Sequence, residues 1–131
     1  MSGQKLNNEA VEKFLSQKKF KKGNMQVELS DYYTDDNVIR LKQHGNTIAK
    51  IENGEIFISN AGWESVTTKE KLNCLLSKLN KGYIQQIKGV WYWQVNNQKM
   101  TNKEIIQNSI KFPYDKFVSV EYYLNHILLG E

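Results

Sequence analysis

The side chains that could do chemistry are few. His44 and His126 are the only histidines and Cys74 the only cysteine. Nucleophilic catalysis needs a nucleophile, a base and an orienting group brought together. Here the pattern puts His44 beside a hairpin turn, His126 on a C-terminal helix and Cys74 on the flank of a central helix. Cys74 lies well inside that helix rather than at its N-terminus, so nothing predicts a depressed thiol pKa. A metal site takes three or four ligands from cysteine, histidine and carboxylates, and no such spacing occurs. Asp31, Asp35 and Asp36 share one polar loop but lack the spacing and central glycine of an EF-hand. Phosphate loop, dinucleotide fingerprint and nucleophile elbow are all missing. The expectation is a protein that is not an enzyme, with no cofactor and no metal.

Binding is what the sequence leaves open, in three places. Lys88, Trp91, Tyr92, Trp93 and Lys99 gather on one hairpin, and aromatics with nearby lysines can stack bases. Alternation places Trp91 and Trp93 on one strand face and Tyr92 on the other. The competing reading makes both tryptophans core residues facing Leu72 and Leu76, with Tyr92 exposed. The second place is the N-terminal segment. Lys5, Lys13, Lys18, Lys19, Lys21 and Lys22 outnumber Glu9 and Glu12 there and account for the whole net charge of +4. Such a patch attracts phosphates or an acidic protein surface, or is a solvated helix face. The third is Thr67, Thr68 and Lys69 at a helix start, a physically sensible receptor for a phosphate.

The elements that position these residues read as α+β: an antiparallel sheet of about five or six strands, with an N-terminal helix, a central capped helix and C-terminal helices. At 131 residues, with 40% hydrophobic and 24% charged, the chain reads as one domain. Within it, 1–22 forms a basic helix, 25–100 the sheet with a central helix over 68–80, and 101–131 the C-terminal helices. The N-terminal helix runs from a cap at Asn7 or Asn8 to Phe20, and Gly23-Asn24 stops it. Strands follow over Met25–Leu29, Val38–Gln43, Thr47–Glu52 and Glu55–Asn60, joined by Gly45-Asn46 and Asn53-Gly54 turns. Ile56 and Ile58 point opposite to Phe57, so this strand should be central, with a helix over each face. Thr67 with Glu70 reads as a capping box, and Leu72, Leu75, Leu76 and Leu79 form a core-facing stripe. Tyr83–Lys88 and Val90–Val95 flank a Lys88-Gly89 turn. Thr101 with Glu104 opens a short helix carrying Ile105, Ile106 and Ile110, which Phe112-Pro113 breaks. A last helix starts at Asp115. No stretch is long and apolar enough to span a bilayer and the first residues lack a signal h-region. With a lone cysteine this fits a reducing cytoplasm.

Leu41-Lys42-Gln43-His44-Gly45-Asn46-Thr47-Ile48-Ala49, then Ile56-Phe57-Ile58-Ser59-Asn60-Ala61-Gly62-Trp63, then Ser65-Val66-Thr67-Thr68-Lys69-Glu70-Lys71-Leu72-Asn73, with a later Gly89-Val90-Trp91-Tyr92 strand, make a recognisable pattern. It resembles a group of small phage-encoded proteins with a histidine-glycine-asparagine turn, a glycine-tryptophan corner and a threonine-threonine-lysine helix start ending in leucine-asparagine. The resemblance spans Ile39 to Val95 and leaves the basic N-terminal helix and the segment from Met100 outside. It implies viral origin, a host-cytoplasmic setting and no mechanism. In structural terms Gly62 permits a sharp corner, Trp63 plugs the sheet–helix junction, and Asn73 ties a loop. As a core plug, Trp63 changed to alanine should cost about 3–5 kcal/mol. The resulting expectation is a phage accessory protein binding a host defence protein or its nucleoprotein complex, as an anti-CRISPR does. The alternatives are a nucleic-acid-binding protein using the basic helix and the aromatic hairpin, and a nucleotide or small-ligand binder at the Thr67 helix start. No membrane partner is expected.

Overall fold

The computed structural model describes residues 2–29, 38–62, 65–94, 101–113 and 115–121. The fold is α+β, with two antiparallel sheets rather than one. Helix α1 (Ser2–Leu15) is followed by β1 (Phe20–Lys22), β2 (Met25–Glu28), β3 (Ile39–Gln43), β4 (Asn46–Glu52) and β5 (Glu55–Ile58). Then come α2 (Val66–Leu79), β6 (Tyr83–Ile87), β7 (Val90–Gln94), α3 (Asn102–Asn108), β8 (Ile110–Lys111) and β9 (Val118–Ser119). The larger sheet has the order β1-β2-β3-β4-β5-β9 and the smaller the order β6-β7-β8.

Several expectations about the elements change. Helix α1 starts before Asn7 and ends at Leu15, where Gln17 adopts φ +57. Lys21 and Lys22 therefore belong to strand β1, and Gly23-Asn24 turns a β-hairpin rather than stopping a helix. Gly23 earns its place twice: its φ is +57, and a Cβ there would come within 3.3 Å of Leu6 Cδ2. Ile110 leaves α3 to pair with Trp93, and Val118 pairs with Ile58, so the chain turns helical only at Val120. The remainder of the expected last helix, with His126, lies outside the described residues.

The turns follow local chemistry. Asn53-Gly54 and Lys88-Gly89 both have positive φ at both positions, the requirement of the tight turns that match strand twist. The β3–β4 turn uses His44-Gly45, at φ +50 and +79, not Gly45-Asn46. The register then slips: Leu41 faces Ala49 and Lys42 faces Thr47, which leaves Ile48 with no residue opposite. A bulge re-aims its side chain, and both Ile48 and Ala49 are buried.

Helix α1 packs on β2, β3 and α2, while α2 touches both β4 and β6. One apolar cluster joins Val11 and Phe14 of α1, Leu41, Ile58, Leu72, Leu75 and Leu76 to Trp91, Trp93 and Phe112. The two tryptophans are fully buried, so the core reading of that face holds. Trp93 also donates Nε1–H to the Lys81 carbonyl at 2.9 Å, and Trp91 meets Phe112 edge-on at 5.6 Å between centroids. On the other face of β5, the Lys50 ammonium lies 5.4 Å from the centroid of the Phe57 ring. That ammonium also lies 4.8 Å from the Phe117 ring.

Asn73 makes the link between α2 and the second sheet. Its Nδ2 donates to the Ile84 carbonyl at 2.8 Å, and its Oδ1 accepts the Ile84 N–H at 2.6 Å. The side-chain amide thus pairs both backbone groups of an edge residue, as a neighbouring strand would. Changing Asn73 to alanine should cost about 1–3 kcal/mol by leaving these groups unpaired. Hydrogen exchange would locate the effect: the Ile84 amide should exchange faster while the Tyr83 and Gln85 amides hold.

Candidate functional site

Four short stretches enclose a cavity of about 300 Å³ at the N-terminal end of α2. Strand β3 and its turn bring Gln43 and His44, β4 brings Asn46 and Ile48, and the corner after β5 brings Asn60 and Ala61. The helix start adds Ser65, Thr67 and Thr68. Gln43 belongs here because it follows Ile39 and Leu41 on the inward face of β3, and it is only 5% exposed. A buried primary amide must find partners. It finds two hydroxyls.

Those hydroxyls depend on where α2 starts. Ser65, not Thr67, is the N-cap: its φ and ψ are −99° and 158°, and its Oγ accepts the Thr68 N–H at 3.2 Å. Thr67 and Thr68 are thereby inside the helix, and the expected Thr67–Glu70 box is replaced. Thr68 donates its hydroxyl to Gln43 Oε1 at 3.1 Å, and Gln43 Nε2 donates to Thr67 Oγ1 at 3.3 Å. Ser65 donates to Thr68 Oγ1 at 3.0 Å and lies 3.2 Å from Thr67 Oγ1. With the Ser65 proton committed to Thr68, Thr67 is the donor in that last contact. The circuit Thr67 to Ser65 to Thr68 to Gln43 and back to Thr67 is closed. Each donor in such a cycle polarises the next.

The opposite wall is set by Asn60, which is fully buried. Its Oδ1 accepts the Gly62 N–H at 2.9 Å and the Asp115 N–H at 2.8 Å, and its Nδ2 donates to the Pro113 carbonyl at 3.3 Å. Ala61 and Gly62 take positive φ in succession, so the sharp corner expected of Gly62 is present. Trp63 lies outside the described residues.

The other sequence-derived residues do not converge on this cavity. Lys69 is half-buried and does not line it. Lys18, Lys19, Lys21 and Lys22 are exposed around the open edge of β1, with Lys22 Nζ 3.4 Å from Glu9. Lys88 is exposed in its turn, and Tyr92 is half-buried between Gln85 and Lys111 across the strands. Lys99 lies outside the described residues. Leu72 and Leu76 are core. Lys71 is buried on α2, and desolvation pulls its ammonium pKa down against the opposing pull of Glu70. Burial pushes the Cys74 thiol up, with Lys78 opposing, and its Sγ donates to Asn8 Oδ1 at 3.1 Å. Among the described residues no group of three or more histidine, cysteine or acidic side chains is placed to hold a metal. No described helix is long and apolar enough to cross a membrane.

Gln43, Ser65 and Asn60 join the site although the sequence does not mark them as candidates. For Gln43 the signal was there, a polar residue at an inward strand position. For Asn60 it was not, because its partners lie more than fifty residues away.

The stretches that wall the cavity are those that carried the resemblance to small phage proteins. A comparison with protein families matches residues 3–126 to the Kyanoviridae Gp96 protein. The chain belongs to that family. The Gp96 family is a phage family without an assigned function. The match takes in α1, β1 and the segment beyond Met100, so these are parts of the shared domain plan and not additions peculiar to this chain. No curated protein and no solved structure matches.

Because Asn60 ties the corner to Pro113 and Asp115, its change to alanine should cost about 2–4 kcal/mol, the sum expected for backbone groups left without partners. Chemical denaturation would measure it, with accelerated exchange of the Gly62 and Asp115 amides as the local signature.

Proposed function

We propose that this Gp96-family protein is a non-catalytic binding protein of the infected bacterium. In this reading it engages a host protein in the cytoplasm and so blunts a defence system, in the manner of an anti-CRISPR. The observation that supports the reading is the rim of the cavity. Val66, flanked by the cavity-lining Ser65 and Thr67, is 56% exposed, the most exposed of the large apolar side chains among the described residues. Thr67 beside it and the His44-Gly45-Asn46 turn, whose His44 and Asn46 line the same cavity, are exposed too. Exposed apolar surface on a helix start that also carries uncharged hydrogen-bonding groups is in keeping with protein interface cores, which are depleted in charge. Phage membership supplies the setting, and the host protein is the partner that this surface chemistry favours.

A nucleic-acid reading rests on the exposed Lys18, Lys19, Lys21 and Lys22 around β1. Lysines on an edge strand also serve to block edge-to-edge pairing, which accounts for part of the same pattern. Salt separates the readings, since phosphate contacts release counterions and weaken steeply as salt rises. Tagged protein should retain a host protein from lysate of the bacterial host after nuclease and at high salt, and Val66→Asp should release it. Recovery of nucleic acid instead, indifferent to Val66→Asp and lost when the four lysines become serine, would replace this reading with the other.

A further inference from the structure

We infer that the cavity beside α2 is a binding site for a small uncharged ligand that joins a hydrogen-bond donor, O–H or N–H, to an apolar ring. This goes beyond the host-protein reading, which concerns the rim; a partner can dock there whether or not the cavity is filled.

The size comes first. About 300 Å³ is at the lower end of the roughly 300–1,000 Å³ typical of small-molecule sites, so the space suits a ring-sized group and not a dinucleotide. The second point is charge. None of the lining side chains is a lysine, arginine, aspartate or glutamate. His44 is the one ionisable side chain of the lining and is exposed to solvent, so a charged ligand would leave water without a fixed, buried counter-charge, which is costly. Ile48 and Ala61 supply apolar wall instead, and the β4 bulge is what turns Ile48 toward them.

The third point is the direction of the hydrogen bonds. Every hydroxyl proton of Ser65, Thr67 and Thr68 is consumed in the cycle through Gln43. Ser65 Oγ additionally accepts the Thr68 N–H, which fills both of its lone pairs. Thr67 Oγ1 and Thr68 Oγ1 each accept once in the cycle and keep one lone pair. The hydroxyl wall is thus an acceptor surface, complementary to a ligand that donates. A phosphate would need the opposite, free hydroxyl protons and a cation, and Lys69 stands off the lining. The wall is also built in advance, since the cycle on one side and Asn60 on the other are complete without a ligand. Preorganisation of this kind reduces what binding must order.

The test uses isomers, p-cresol and anisole, which share atoms and ring but differ in having an O–H donor. Each is titrated into the ¹⁵N-labelled full chain, following the Thr67 and Thr68 amides and the Gln43 side-chain amide by NMR. Donation of one hydrogen bond should make p-cresol bind about 3–10-fold tighter than anisole, and inorganic phosphate should move none of these signals. Asn46→Trp, at an exposed position beside the cavity, should abolish p-cresol binding with a dispersed spectrum retained. Thr67→Val, also at an exposed position, removes one of the two free acceptors and should weaken the preference for p-cresol even if the tryptophan variant fails to fold. Equal binding of the isomers, binding of neither, a response to phosphate, or a preference unchanged by Thr67→Val would each overturn the inference.

Discussion

Helix α2 is gripped from both sides by side-chain amides that do the work of backbone. Gln43 reaches from the larger sheet to the hydroxyls of the first turn of α2. Asn73 reaches from the middle of α2 to the edge of the smaller sheet. The two sheets share no strand, so their common reference is this helix. Without these contacts the sheets would still be drawn together by Leu72, Leu75, Leu76, Trp91 and Trp93, but less would fix the rotation or height of α2 between them.

Magnitudes divide the labour. Each of those large apolar side chains contributes about 1.5–3 kcal/mol on burial, more than the roughly 0.5–1.5 kcal/mol net of a hydrogen bond. Burial therefore drives assembly, and the amides select one arrangement, because an unpaired buried amide costs more than a paired one gains. The cavity follows from that selection. Setting α2 so that Gln43 meets Thr67 and Thr68 leaves a space beside them that Asn60 and the β4 bulge frame but do not fill. Binding and scaffold are thus built from the same residues, and a substitution at Gln43 or Thr68 will disturb both.

Much of this was legible where the signal is local. Asn53-Gly54 and Lys88-Gly89 specify their turns by φ alone, the leucine stripe specifies the buried side of α2, and the Thr101–Glu104 box forms as its spacing requires. The role of Asn73 as a tie was legible too, though it binds a strand edge and not a loop. What local reasoning missed was competition. Ser65 and Thr67 both suit an N-cap; Ser65 takes it because Gln43 offers the threonines a better use. Lys18 to Lys22 suit a helix, but the Gly23-Asn24 turn lets β1 pair with β2, and sheet pairing outweighs propensity. The pairing of Ile58 with Val118, sixty residues on, left no mark in either stretch, and it converts the expected start of the last helix into strand.

The central claim is that the Gln43–hydroxyl cycle is a cooperative unit rather than a set of independent contacts. A double-mutant cycle on stability tests it most directly, with Gln43→Leu, Thr68→Val and both together measured by chemical denaturation. Removing one partner strands the other, while removing both leaves apolar groups of similar shape. The double variant should then be more stable than the sum of the single losses implies, with a coupling of about 1–3 kcal/mol. Losses that add to within about 0.5 kcal/mol would show the residues acting independently and would contradict this account.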